Sequence, residues 1–182
     1  MKTALILIDI QNDYFSGGKW ELPEMEAAAE NAKQLLADFR ASFNPIFHIQ
    51  HIAKEANAPF FLAGTKGVEI HPSVQPQNNE AVIVKHFPNS FLQTTLLGGL
   101  QSAGTKSLVI CGAMSNMCID ATTRAAKDFG FDCVVAHDAC AAQNFEFQGQ
   151  EIPAQQVHGS FMAALAFAYA KVVPTREATA LR

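Results

Sequence analysis

Three residues that lie far apart in the sequence have side chains suited to nucleophilic hydrolysis: Asp9, Lys85 and Cys118. A cysteine attacks as its thiolate, and an ordinary thiol with a pKa of about 8.5 is mostly protonated at neutral pH. The ammonium of Lys85 would favour the thiolate of Cys118. The carboxylate of Asp9 would carry the thiol proton to a departing amine and later activate water. These residue types predict covalent hydrolysis of an amide-type bond, provided that the fold brings them together.

Short apolar runs alternate with helical patterns along the chain, and these elements must position the three residues. The predicted strands are 3–9, 45–50, 81–85, 107–112, 132–137 and 171–174, and the predicted helices are 23–39, 91–100, 116–129 and 153–169. Strands that alternate with helices pair in parallel through right-handed crossovers. The predicted fold class is therefore α/β, a three-layer α/β/α sandwich with a mainly parallel, doubly wound sheet.

The carboxyl ends of the strands are where such sheets bind ligands. Asp9 ends the first predicted strand, Lys85 ends the third, and Cys118 follows the fourth. Cys118 is expected in the first turn of a helix, where unpaired N–H groups stabilise an anion. The preceding turn, GAMSNMC (112–118), would direct the amides of Met114 and Cys118 at the oxyanion of a tetrahedral intermediate.

Length and composition narrow the class of protein. The 182 residues suit a single domain over 1–182. A net charge of −4 without a basic cluster argues against nucleic acid as a partner. No apolar run approaches the roughly 20 residues of a membrane span, and the N-terminal segment turns acidic too early for a signal peptide. We expect a cytoplasmic protein whose partner is a small-molecule substrate, with neither nucleic acid nor membrane bound.

The cysteine pattern does not predict a disulfide-stabilised protein. The four cysteines contain no C-x-x-C pair, and a disulfide framework is not expected. Three of them have no functional assignment and are expected to pack as small hydrophobic residues; they are Cys111, Cys133 and Cys140.

Three motifs occur in order along the chain: LILIDIQNDYFSGG (5–18), VIVKHFPNSFLQTTL (82–96) and LVICGAMSNMCIDATTRAAKDFGFDCVVAHDAC (108–140). Together they resemble the isochorismatase-like cysteine hydrolases, a superfamily that includes nicotinamidases and N-carbamoylsarcosine amidohydrolase. The resemblance implies that Asp9, Lys85 and Cys118 form a catalytic triad. It also implies a cis peptide bond between Ala113 and Met114, and assembly as a homodimer or homotetramer.

The metal site of nicotinamidases is not matched. Aligned on Gln50, the aspartate of their Asp-x-His pair corresponds to His51 and the histidine to Ala53, so that only His71 is retained. We therefore expect neither a metal nor another cofactor, and a nicotinamide substrate is not favoured. His48 and His51 do not replace the missing ligands unless the strand ends between them, because residues three apart on a strand face opposite sides of the sheet.

Aromatic residues and a histidine near the strand ends are candidates for contact with substrate. Phe15 and Trp20 follow Asp9, His51 ends the second strand, and Phe91 follows Lys85. Taken singly, even the central residues have ordinary explanations, since cysteine is often buried and aspartate often forms turns. The assignment depends on their combination.

The predicted function is hydrolysis of a C–N bond in a small molecule through an acyl-cysteine intermediate. An isochorismatase-type hydrolase without covalent catalysis is one alternative, which the thiol at position 118 argues against. A catalytically silent binding subunit of the same fold is another, which the complete triad argues against. A dinucleotide-binding domain would need a G-x-G-x-x-G turn after the first strand, and DIQNDYFSGG (9–18) lacks that spacing.

Overall fold

A central sheet organises the protein, for which the computed structural model describes residues 2–77 and 79–181. Met1 and Arg182, the ends of the predicted domain, lie outside the described residues. The strands are β1 (Lys2–Ile8), β2 (Ile46–His51), β3 (Ala81–Lys85), β4 (Thr105–Ala113), β5 (Asp132–Ala141), β6 (Phe145–Phe147), β7 (Gln150–Ile152) and β8 (Lys171–Val173). The helices are α1 (Met25–Ala41), α2 (Leu96–Ser102), α3 (Asp120–Asp128), α4 (Ala154–Ala168) and α5 (Thr175–Ala178).

The six-stranded sheet has the order β3-β2-β1-β4-β5-β8, and every neighbouring pair in it is parallel. The strands β6 and β7 form a separate antiparallel hairpin. Helices cover both faces of the sheet, so the predicted fold class is confirmed. The strand order reverses between β1 and β4, which is the switch point where open α/β sheets bind ligands.

Side chains of β1 show why this strand forms the centre. Its apolar run is buried on both faces, as expected of a parallel strand covered by helices on each side. Leu5 and Leu7 pack in one core cluster with Leu35 and Phe39 of α1. The intervening residues pack in the second cluster with parts of α2, α3 and α4; they are Ala4, Ile6 and Ile8. The alternation of a strand thus divides the core into two layers.

Three elements differ from their predictions. The helix predicted over 116–129 starts within the turn Ser115–Ile119 and is α-helical only from Asp120. The helix predicted over 91–100 begins only at Leu96, and Gln93, with a φ of 57°, has a left-handed conformation that a right-handed helix cannot accommodate. The strand predicted over 132–137 continues to Ala141, past a shift in register opposite β4. The β6–β7 hairpin was not predicted. Among the described residues, no helix combines the length and hydropathy needed to cross a membrane.

Candidate active site

The ammonium of Lys85 is the point where the predicted site residues meet. Its Nζ lies 2.7 Å from Oδ2 of Asp9, 2.9 Å from Nδ1 of His51 and 3.2 Å from Sγ of Cys118. Asp9 and Lys85 are 0% exposed and Cys118 is 5% exposed. The structure therefore brings the three predicted residues together and adds His51 as a fourth contact.

The parallel sheet explains this convergence. Lys85 is the last residue of β3 and lies directly opposite His51, the last residue of β2. Asp9 follows β1, which is the next strand, and its amide donates to the carbonyl of Ile49 in β2. Asp9 adopts a left-handed conformation with a φ of 53°, which aspartate tolerates better than most residues. The ends of three adjacent strands thus supply the carboxyl group of Asp9, the hydrogen-bond acceptor of His51 and the ammonium of Lys85.

The turn after β4 carries the nucleophile candidate. The peptide bond between Ala113 and Met114 is cis, and residues Ser115–Ile119 form a π-helical turn that leads into α3. Cys118 therefore lies in this turn and not in the first turn of a regular α-helix, as the sequence had indicated. The hydroxyl of Ser115 donates to the carbonyl of Ala141 and lies 2.8 Å from Nδ1 of His158. These contacts fasten the start of the turn to β5 and α4.

Gly112 allows β4 to reach this turn. Its φ of 122° belongs to the region that favours glycine. A Cβ at this position would collide with the backbone carbonyl oxygen of Ile8 on the adjacent strand β1. Only glycine fits between the strand that carries Asp9 and the turn that carries Cys118.

The charges at the site differ from the sequence-based expectation. Burial raises the pKa of the Cys118 thiol, the negative charge of Asp9 raises it further, and the opposing effect of Lys85 does not compensate. Burial alone would lower the pKa of Lys85, but its contacts with Asp9 and Cys118 outweigh burial and raise it. This direction opposes the thiolate that Lys85 was expected to favour. The raised pKa values favour an ammonium on Lys85 and a neutral thiol on Cys118.

One carboxylate oxygen of Asp9 accepts no hydrogen bond from the described residues. Its Oδ2 accepts from Lys85, whereas its Oδ1 is buried and has no hydrogen-bond partner among the described residues. A carboxylate oxygen of Asp9, a ring nitrogen of His51 and Sγ of Cys118 all lie within 4.8 Å of one another. Oδ1 is thus an acceptor available to take the proton from the thiol.

The same three donors also resemble a metal-binding set, but they do not fit a metal ion. Asp9, His51 and Cys118 already surround the ammonium of Lys85, which supplies the positive charge at their centre. His71, the retained position of the nicotinamidase metal site, instead stacks on the ring of Phe15. A metal ion placed among these donors would compete with a fixed cation.

An aromatic wall, defined as Tyr14, Trp20, Phe60 and Phe61, borders the charged residues. Its ring centroids are 4.7 Å apart for Tyr14 and Phe61, 4.9 Å for Phe60 and Phe61, and 5.0 Å for Trp20 and Phe60. The ring of His51 lies 5.8 Å from that of Phe61 and connects the wall to the charged residues. Such a surface suits a planar or apolar substrate group.

Tyr14 is a residue that the sequence analysis missed. Burial raises its pKa, and the ionisable groups of Cys118 and Asp9 raise it further, which places the phenol within electrostatic reach of both. It lies in a short 3-10 turn, Asn12–Tyr14, so neither strand nor helix periodicity marks the direction of its side chain. The only available signal was its position five residues after Asp9.

Of the four residues predicted to contact substrate, two border the site and two are buried. His51 and Trp20 are partly exposed and border the site. Phe15 is buried, and its ring stacks on that of His71 with centroids 3.6 Å apart. Phe91 is also buried, between the rings of Phe129 and Phe131 in the second core cluster. Packing accounts for Phe91, and its placement does not support the prediction that it contacts substrate.

Two polar side chains hold the loops around the site. Asp13 accepts a hydrogen bond from the amide of Phe61 at 2.6 Å through Oδ2 and one from the amide of Lys19 at 3.2 Å through Oδ1. Gln11 accepts from the amide of His51 at 2.7 Å and donates to the carbonyls of His51 and Val68. The loop after β1 therefore fixes both His51 and the aromatic wall.

Two cavities adjoin the elements around the site, although neither is lined by Asp9, His51, Lys85 or Cys118. The larger, of about 550 Å³, lies between the start of α1, the end of β5 and the start of α4, and its lining includes His137 and His158. The smaller, of about 460 Å³, is lined in part by Phe15 and Phe60. The larger cavity reaches Ala141, which pairs with Ala113, so it lies one strand from the turn that carries Cys118.

Comparison with known proteins identifies the family. The Isochorismatase domain matches residues 3–162. YddQ, an uncharacterized isochorismatase family protein of Bacillus subtilis, is 53% identical over 96% of this chain and 97% of its own length. Nicotinamidase 3 of Arabidopsis thaliana is 28% identical over 93% of this chain and 83% of its own length.

A solved structure gives the same result. A protein from Oleispira antarctica, assigned provisionally as an isochorismatase hydrolase, superimposes with a TM-score of 0.95 at 54% identity, covering 98% of this chain and 96% of that one. The fold is thus that of an isochorismatase-like hydrolase. This chain belongs to the isochorismatase family.

Proposed function

We propose that this hydrolase cleaves a C–N bond of the amide type in a small molecule through an acyl-cysteine intermediate on Cys118. The observation that carries the proposal is the single ammonium of Lys85 in contact with both the carboxylate of Asp9 and the thiol of Cys118, at 2.7 and 3.2 Å. The nicotinamidase among the relatives supports an amide as the bond that is cleaved.

The first half of the reaction begins from the neutral thiol. Asp9 takes the thiol proton through Oδ1 as the sulfur attacks the substrate carbonyl carbon, and Lys85 stabilises the negative charge that moves between them. The carbonyl π electrons pass to oxygen, and the amides of Met114 and Cys118 are the proposed donors to this oxyanion. Collapse of the intermediate breaks the C–N bond, and the proton held by Asp9 leaves with the amine.

In the second half, Asp9 deprotonates a water molecule as its oxygen attacks the thioester carbonyl. The C–S bond breaks, the sulfur recovers the proton through Asp9, and the carboxylic acid product is released. Concerted proton transfer suits a thiol whose pKa is raised by burial, because a free thiolate is never required as a stable species.

The proposal includes the cellular compartment and the partners of the enzyme. The four cysteines are free and buried, which suits a reducing compartment such as the cytoplasm. Assembly as a homodimer or homotetramer stays a prediction, and a small-molecule substrate is the proposed partner.

A substrate screen tests the proposal. Amide, carbamoyl, maleamate-type and lactam-type compounds, with a vinyl ether for comparison, would be incubated with the wild type and with Cys118→Ala. We expect release of ammonia or amine by the wild type alone, with Cys133→Ala as the matched control that keeps activity. An active Cys118→Ala variant, or cleavage confined to the vinyl ether, contradicts the proposal.

A further inference from the structure

The contact between Lys85 and His51 fixes the proton positions on the imidazole ring. An ammonium has three protons and no lone pair, so every neighbour at hydrogen-bond distance must accept from it. Lys85 lies within 3.2 Å of three such neighbours: Asp9, His51 and Cys118. Nδ1 of His51 is therefore an acceptor and carries no proton.

A neutral imidazole with an unprotonated Nδ1 carries its proton on Nε2. Burial and the charge of Lys85 lower the pKa of His51 to about 4, in agreement with a neutral ring. The ring is only partly buried, and among the described residues its only hydrogen-bond contact is that of Nδ1 with Lys85. A ring nitrogen of His51 lies within 4.8 Å of Sγ of Cys118, so the free N–H donor belongs to a ring beside the thiol.

The surroundings define what this donor would bind. The nearest full positive charge, on Lys85, is already paired with Asp9, which leaves little net charge to attract an anion. The aromatic wall adjoins the ring of His51 through Phe61. A flat group with a neutral carbonyl oxygen matches both the donor and the wall.

From this geometry we infer that His51 determines specificity: its Nε2–H donates to a second, neutral carbonyl oxygen of the substrate, next to the carbonyl that Cys118 attacks. Its Nδ1 positions Lys85 at the same time. The inference deepens the proposed function, because it names planar dicarbonyl amides as the substrate class. A site that hydrogen-bonds such an oxygen discriminates against analogues that lack it.

Two substitutions separate the two nitrogens. Asparagine places an amide oxygen near the position of Nδ1, so His51→Asn keeps an acceptor for Lys85 and removes the donor. Glutamine reaches the position of Nε2, so His51→Gln keeps a donor and removes the acceptor for Lys85. The pair therefore distinguishes contact with the substrate from positioning of the lysine.

Alkylation of Cys118 provides a test that requires no turnover. The probes are N-ethylmaleimide, a planar ring with two neutral carbonyls, and benzyl bromide, a planar ring without an acceptor. The rate of each reagent with the protein is divided by its rate with glutathione, which corrects for the reagent's own reactivity. We expect His51→Asn to react five- to tenfold more slowly than wild type with N-ethylmaleimide, about the effect of one hydrogen bond, and at an unchanged rate with benzyl bromide. We expect His51→Gln to slow both reagents alike.

Long-range ¹H–¹⁵N correlation spectra of the wild type give an independent readout, with the His51 signals identified by their absence in His51→Asn. Protonated Nε2 with unprotonated Nδ1 is the expected result. The opposite tautomer, a doubly protonated ring at pH 7, or equal slowing of both reagents by His51→Asn overturns the inference. Because neither measurement depends on hydrolysis, failure of the inference is distinguishable from failure of the proposed function.

Discussion

Lys85 and Asp9 form an ion pair of 2.7 Å in which both side chains are completely buried. Removing one partner leaves the other charge without compensation in the protein interior. The pair therefore links the chemistry of the site to the stability of the sheet edge, and each of its members can be tested in both respects.

The first prediction concerns this pair. Lys85→Met and Asp9→Leu should each lower the free energy of unfolding by about 3–5 kcal/mol, because each leaves one buried charge alone. The double variant should be much more stable than either single variant and should be inactive. Urea titrations of the four proteins measure these values. Single variants as stable as the wild type would mean that water reaches the pair.

A second prediction concerns pH. His51 has a pKa of about 4 in the fold, lowered first by burial and then by Lys85, against about 6.5 in an unfolded chain. The unfolded state therefore binds this proton more readily, so the stabilisation is complete above a pH of about 6.5 and is lost as the pH falls from there toward about 4.

The comparison of wild type with His51→Asn isolates this effect. Between pH 7 and pH 4.5, we expect the wild type to lose about 1–3 kcal/mol more of its free energy of unfolding than the variant does. Denaturant titrations at several pH values give both curves. Parallel curves would show that His51 titrates alike in the folded and unfolded states.

Gly112 provides a third prediction. Gly112→Ala should abolish activity and lower stability severely, because the new Cβ meets the carbonyl oxygen of Ile8 and the φ of 122° is unfavourable for alanine. Gly130→Ala is the matched control: its φ of 88° is also positive, but nothing lies within 4 Å of the added Cβ. We expect the control to lose only about 1–2 kcal/mol, the cost of a left-handed conformation for a residue with a Cβ. Equal losses in thermal unfolding would rule out the steric explanation.

A fourth prediction concerns the loops. Asp13→Ala removes the acceptor for the amides of Phe61 and Lys19, so the aromatic wall should lose its fixed position. We expect faster proteolysis within residues 53–66 and a raised KM with a smaller change in kcat. Asp132→Asn, at a largely exposed carboxylate, is the control and should behave like the wild type. Unchanged proteolysis in Asp13→Ala would show that other contacts hold the loop.

The fold was predictable because its strands carry continuous apolar runs. The burial of β1 on both faces follows from its sequence, and it implies helices on both sides of the sheet. The convergence of Asp9, Lys85 and Cys118 was predictable for a related reason, since residues at the ends of parallel strands share one edge.

Other features depended on tertiary contacts that no local pattern encodes. The pKa of Cys118 rises because the thiol is buried. The residues next to it in the sequence do not determine how deeply it is buried. Tyr14 and the contact between Lys85 and His51 were missed because their directions depend on a short turn and on strand register. Phe91, which was predicted to contact substrate, packs against Phe129 and Phe131, and its distance from Lys85 in sequence does not encode that packing.

The acyl-cysteine is the central claim, and mass spectrometry tests it most directly. Wild-type protein would be quenched in acid during turnover of the best substrate from the screen, then digested and mapped. We predict that the peptide containing Cys118 gains the mass of the substrate less its amine, and that Cys118→Ala shows neither this adduct nor turnover. Steady turnover with an unmodified Cys118, accompanied by activity in Cys118→Ala, would contradict the account.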